Sequence, residues 1–157
     1  MDTEPAIHDT FVLERTYPFP PQRVFAALAD PELKRRWFAD GEQHEVELYE
    51  MDFRVGGRER LRYRMKPGTP ISGAILSSDG FFLDIVPDRR VVSAASMQLG
   101  ERRISASQVT LECVPDGSGT RLTCTHQGAF FEGADGPRMR AMGWRGLLER
   151  IEKALER

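Results

Sequence analysis

The stretch Ala141-Met-Gly-Trp-Arg-Gly-Leu-Leu-Glu-Arg-Ile-Glu-Lys-Ala-Leu155 decides how this chain folds. At the helical period, Ala141, Trp144, Leu147, Leu148, Ile151 and Leu155 fall on one stripe, with Arg145, Glu149, Glu152, Lys153 and Glu156 away from it. Such a stripe must cover an apolar surface, and the sequence before it supplies one. From His44 to Gln127 the period is two, with Gly and Pro at the turns of an antiparallel meander. Val46 and Leu48 are even-numbered whereas Met51, Phe53 and Val55 are odd-numbered, so a β-bulge is expected near Tyr49 and Glu50. Gly56-Gly57 closes the first hairpin, and Leu61, Tyr63 and Met65 mark the inward face of the returning strand. Lys66 to Asp79, with Pro67, Gly68, Pro70 and Gly73, reads as the longest loop. Phe81, Leu83 and Ile85 resume the alternation, Pro87-Asp88 turns, Val91 to Met97 returns, and Ile104 to Val114 with Thr120 to Gln127 make a final hairpin.

Upstream, His8 to Tyr17 reads as a first strand. Pro21 suits a first helical position before Val24, Phe25 and Leu28, and Asp30-Pro31 caps and opens a second short helix that runs to about Phe38. The order is strand, two short helices, roughly six antiparallel strands and a long helix. The economical packing of that order is an α+β fold in which the last helix lies across the concave face of a curved sheet.

With 157 residues, 40% hydrophobic and 29% charged, the chain reads as one domain over 1–157 with room for one substantial core. Its 22 Lys and Arg against 24 Asp and Glu leave no global cationic field of the kind that drives non-specific nucleic-acid binding. Acidic residues at the amino terminus argue against a signal peptide, and no apolar run reaches the roughly 20 residues of a membrane span. The expectation is a cytoplasmic protein without stable membrane insertion. Cys113 and Cys124 lack metal-ligand spacing. If Val114 opposes Thr120, the two thiols are three residues out of register and beyond disulfide reach.

No phosphate loop, zinc motif, Cys-x-x-Cys or nucleophile elbow is present, and no cofactor or metal is expected. His126 shares parity with Leu122 and Cys124 and so faces the core, either as a polar handle on a ligand or as a hydrogen-bonded structural histidine. Arg58, Arg60, Arg62, Arg64 and Lys66 recur every second residue and therefore share the outer face. If Phe53 opposes Leu61, Asp52 meets Arg62 and Glu50 meets Arg64, which makes a neutralised solvated face the expectation rather than a nucleic-acid site.

Trp37, Phe53, Tyr63, Phe81, Met97 and Trp144 point, by parity or helical face, to the space between sheet and helix, where a small-molecule cavity would form. Arg140 lies about 40° from the centre of the helix stripe and must either snorkel out or meet an anion, such as an acidic group on a ligand. The Lys66 to Asp79 loop with Trp37 and Phe38 reads as the mouth of that cavity.

Phe11-Val-Leu-Glu-Arg-Thr-Tyr-Pro-Phe-Pro-Pro-Gln-Arg-Val-Phe-Ala-Ala-Leu-Ala-Asp-Pro-Glu-Leu33 with Trp37, Asp52-Phe-Arg-Val-Gly-Gly57, Asp84-Ile-Val-Pro-Asp-Arg-Arg-Val91, and Gly119-Thr-Arg-Leu-Thr-Cys-Thr-His-Gln-Gly128 with Gly143-Trp144 resemble the START-like SRPBCC superfamily. Within it they resemble bacterial proteins named after the activator of the 90-kDa heat-shock protein ATPase. The resemblance implies a helix-grip fold with a deep cavity, but it chooses no function, because relatives include carriers, receptors, cyclases and co-chaperone domains. The leading expectation is non-catalytic binding or carriage of a small, mostly apolar molecule. The alternatives are a cyclase or hydrolase using His126, Asp84 or Tyr63, and a co-chaperone-like interaction module. A homodimer or another protein partner is left open.

Overall fold

The computed structural model describes residues 4–156. Residues 1–3, on which the reading against a signal peptide partly rests, lie outside the described residues. The elements are β1 (Ile7–Tyr17), α1 (Pro21–Ala29), α2 (Pro31–Lys34) running on into a π-helical turn (Arg35–Ala39), β2 (His44–Met51), β3 (Arg58–Met65), β4 (Ile75–Val86), β5 (Arg90–Leu99), β6 (Arg102–Asp116), β7 (Gly119–Phe130) and α3 (Gly136–Leu155). The strands form one antiparallel sheet in the order β1-β7-β6-β5-β4-β3-β2, so the first strand closes beside the last.

Local chemistry sets the helical boundaries. Pro21 opens α1, and the Asp30 carboxylate accepts from the Glu32 N–H at 2.9 Å, so the residue that ends α1 also starts α2. In the π turn the Asp40 N–H donates to the Arg35 carbonyl, five residues back. The turn carries Trp37 into the interior, where its indole N–H donates to the Ala27 carbonyl at 2.8 Å.

Three bulges curl the sheet: Glu47 in β2, Leu83 in β4 and Ile104 in β6 each lack a partner across the ladder. The first lies earlier than the sequence suggested. Val46 and Leu48 are not one face, because Glu47 between them is the extra residue, and Tyr49 rather than Phe53 opposes Leu61. Residues 52–57 form the hairpin loop, held by the Asp52 N–H on the Arg58 carbonyl and turned at Gly56, whose φ is 83°. The outer arginines are therefore paired, but with other partners than expected: Arg60 with Glu50 at 3.7 Å, Arg62 and Arg64 both with Glu47 at 3.3 and 3.0 Å, and Arg58 with Asp79 at 2.6 Å.

The second bulge corrects the placement of Phe81. Leu76 pairs with Tyr63 and Ser78 with Leu61, so Gly80 and Phe82 face inward and the bulge at Leu83 then returns Ile85 to the interior. Phe82 is 1% exposed, whereas Phe81 and Leu83 are 51% and 49% exposed on the outer face. Ile85 set the parity in the sequence, and one unpaired residue had inverted it. The irregular stretch between β3 and β4 is also shorter than expected. It covers 66–74, and Ile75 onward belongs to β4. In the last hairpin Cys113 opposes Leu122, which puts Cys124 two residues away rather than three. Both thiols are free, and burial pushes each up to about 12.

The apolar core gathers at one end of the sheet. Leu148, Ile151, Ala154 and Leu155 of α3 meet Val24, Ala27 and Leu28 of α1 and Leu13, Val91, Leu111, Leu122 and Cys124 of the sheet. Burying each large side chain of this set stabilises the fold by about 1.5–3 kcal/mol. The fully buried Tyr17 hydroxyl donates to the Leu148 carbonyl at 2.6 Å, and the Arg23 guanidinium donates to the Leu155 carbonyl, pinning that half of α3. Among the described residues no helix is long and apolar enough to cross a membrane.

Candidate functional site

A straight lane of small side chains crosses the concave face. Gly80, Ala95, Ser107 and Gly128 are direct partners across β4, β5, β6 and β7. Directly opposed residues share a face, so all four look toward α3. One flanking row is Ser78, Met97, Ser105 and Phe130, and the other is Phe82, Ser93, Val109 and His126. Above them the first half of α3 is poorly seated: from Gly136 to Leu147 only Arg140 is buried. Ser93, Ala95, Met97 and Ser107 are correspondingly only half-buried although they face inward.

Polar groups gather at the β7 end of the lane. His126 is 1% exposed, and its ring stacks on Phe11 at 4.6 Å and faces Phe130 at 6.0 Å. Burial first, and then the Arg140 charge, pull its pKa down to about 4, so at pH 7 the imidazole is neutral. Its Nδ1 is buried without a hydrogen-bond partner, and so is the Oγ of Ser107. A buried polar atom left unpaired costs about 1–3 kcal/mol, which makes two such atoms on the inner face of adjacent strands informative.

Arg140 meets an anion from its own chain. Its Nε and Nη2 donate to the two carboxylate oxygens of Asp135, each at 2.7 Å, and Nη2 also donates to Ser105 Oγ at 3.0 Å. The guanidinium lies 5.1 Å from the Phe130 ring centroid. A second buried ion pair was not legible in the sequence: Lys34 Nζ sits 2.9 Å from Glu59, which also accepts from the Tyr49 hydroxyl at 2.8 Å. The Lys34 ammonium stands 4.6 Å from the Phe38 ring centroid and 5.5 Å from that of Trp37. Burial, then the Glu59 charge, raises the Tyr49 phenol above its ordinary range, and burial raises that of Tyr63.

The residues expected to line a cavity divide into four groups. Trp37 is fully buried and bonded to Ala27, so it is core and cannot form a mouth. Phe53, edge-on to Phe25 and Phe82, packs against the same core. Phe81 lies on the outer face and cannot line the space at all. Phe38, Tyr63, Met97 and Trp144 are half-buried around the lane, with Phe38 and Trp144 tilted together at 6.4 Å, and His126 and Arg140 close its polar end. Asp84, an expected acid candidate, is on the outer face and paired with Arg90 at 2.7 Å. Ser105 and Ser107 were missed, because the bulge at Ile104 hides the inward parity of β6, and Asp135 because it lies just outside the α3 stripe. Among the described residues no three His, Cys, Asp or Glu side chains are placed to share a metal ion.

A curved antiparallel sheet gripping a long carboxy-terminal helix, with short helices after the first strand, defines the helix-grip, START-like class. The chain belongs to the family described as Activator of Hsp90 ATPase homolog 1-like protein, which it matches over residues 18–156. The crystal structure of Mll3558 from Rhizobium loti is 46% identical, covers 96% of this chain and 99% of its own, and superposes with a TM-score of 0.83. A protein from Rhizobium leguminosarum is 38% identical over 96% of both chains, with a TM-score of 0.86. An AHSA1-like protein from Aeromonas hydrophila, at 20% identity, 94% and 92% coverage and a TM-score of 0.68, shares the fold. No curated protein matches the chain.

Proposed function

We propose that this protein binds or carries a small, mostly apolar molecule on the concave face, between the sheet and the first half of α3, without transforming it. Family membership supports a ligand-binding role in general. The observation that carries the reading is the lane of Gly80, Ala95, Ser107 and Gly128, half-buried for most of its length under a helix seated firmly only at its far end. Small floor residues leave room, and Phe38, Met97 and Trp144 offer apolar and aromatic walls. A catalytic role draws little support. Nδ1 of His126 has no group to orient it, and Asp84 is on the wrong face. The free, buried thiols fit a reducing, cytoplasmic compartment.

Native mass spectrometry of the protein purified from its own cells tests this. The expected result is a co-purifying small molecule, retained in the native spectrum and released on denaturation. A bare protein mass in every preparation, together with Trp144 fluorescence unmoved by any apolar compound, overturns the proposal.

A further inference from the structure

We propose, resting on the binding site argued above, that the ligand it takes is a neutral alcohol whose hydroxyl bridges His126 Nδ1 and Ser107 Oγ, rather than an acid whose carboxylate is held by Arg140. Ser107 lies directly across from Gly128, and His126 is two residues from Gly128 on the same face. The imidazole edge leans over that glycine: a Cβ there would stand 2.9 Å from His126 Cε1, the carbon bonded to Nδ1. The unpaired nitrogen thus belongs to the ring that leans over the β7 end of the lane, on the strand next to Ser107, whose Oγ is also unpaired, and the two do not bond each other. A hydroxyl is the group that answers both at once, donating to a neutral Nδ1 while accepting from the serine O–H.

A carboxylate answers less well: it can accept from the serine O–H and from an Nδ1–H, but its charge finds no free partner there. Among the described residues the buried cation beside the lane is Arg140, which already holds Asp135 through two parallel hydrogen bonds and donates further to Ser105. An acid entering there would either displace Asp135 or be desolvated beside it. The neutral state of His126 agrees with this assignment, since burial and the Arg140 charge keep the ring unprotonated throughout the physiological range.

The test is an NMR titration with 1-octanol, octanoate and octane at pH 7, reading the backbone amides of Ala95 and Ser107 and the ring nitrogens of His126. Octanol should bind at least about 10-fold more tightly than octanoate and shift the His126 ring nitrogens, whereas octane should leave them unmoved. Ser107→Ala and His126→Phe should each weaken octanol by about 3- to 10-fold and leave octane unchanged. Should His126→Phe fail to fold, Ser107→Ala decides the matter alone. Octanoate binding as well as octanol, or octanol indifferent to Ser107→Ala, overturns the alcohol assignment while the groove stands. Failure of all three probes to shift Ala95 or Ser107 removes the groove and the assignment together.

Discussion

The two ends of α3 lie over the same sheet but are packed very differently. Beneath its second half, Leu122 and Cys124 are 0% exposed, Ile151 is 0%, and the Tyr17 hydroxyl ties the sheet to the helix backbone. Beneath its first half the floor is glycine, alanine and serine, only Arg140 of the helix is buried, and two polar atoms lack partners. A single helix thus differs along its length in how tightly it is packed. The sealed end holds the fold together, which lets the other end carry half-buried small side chains and unpaired polar atoms that a uniform core would not tolerate.

Substitution at the sealed end tests the division most severely. Leu122→Ala should cost about 3–4 kcal/mol in urea unfolding, since no neighbour can collapse into the space. A loss below about 1 kcal/mol would break the distinction between the two ends. The next effect is electrostatic and belongs to the other end. His126 has an ordinary pKa near 6.5 when unfolded and about 4 when folded. Its contribution is therefore complete above pH 6.5, and stability falls as pH drops from 6.5 toward 4, where the unfolded chain takes the proton and the folded chain does not. The loss should reach about 2–3 kcal/mol by pH 4 and vanish in His126→Phe, as read by chemical denaturation across that window. An unchanged slope in the variant would assign the acid sensitivity to other groups. The smallest change in stability is expected from filling the lane. Ala95→Leu should move the unfolding free energy by no more than about 1 kcal/mol yet abolish octanol binding, whereas a 3 kcal/mol loss would mean that the lane is already packed.

Period and punctuation carried most of the fold. The α3 stripe, the proline at the start of α1, the Asp30-Pro31 junction and the chain order of a strand, two short helices, roughly six antiparallel strands and a long helix are all legible in the sequence, whereas the pairing of β1 with β7 is not. Parity did not survive the bulges, because one unpaired residue reverses which side chains face inward and nothing in the local composition announces it. That is why Phe81 was placed inside and Phe82 overlooked. The site was legible in fragments. His126 and Arg140 were found through their misfit with an apolar face, but Ser107 and the small-residue lane exist only once four strands are in register. Asp135 precedes α3 by one residue, outside the periodic stripe, so the partner of Arg140 carried no signal.

The bulges at Glu47, Leu83 and Ile104 also set how this sheet tolerates change in chain length. Each adds one residue to one strand of a pair, so the concavity is written as a count of residues and not as a choice among them. At Ile104 the extra residue lets two consecutive side chains, Ile104 and Ser105, be buried at 3% and 1% exposure, the second of them against Arg140. A substitution at any of the three positions leaves that count intact. Deleting the unpaired residue itself would flatten the sheet while leaving the pairs beyond it facing as they do now.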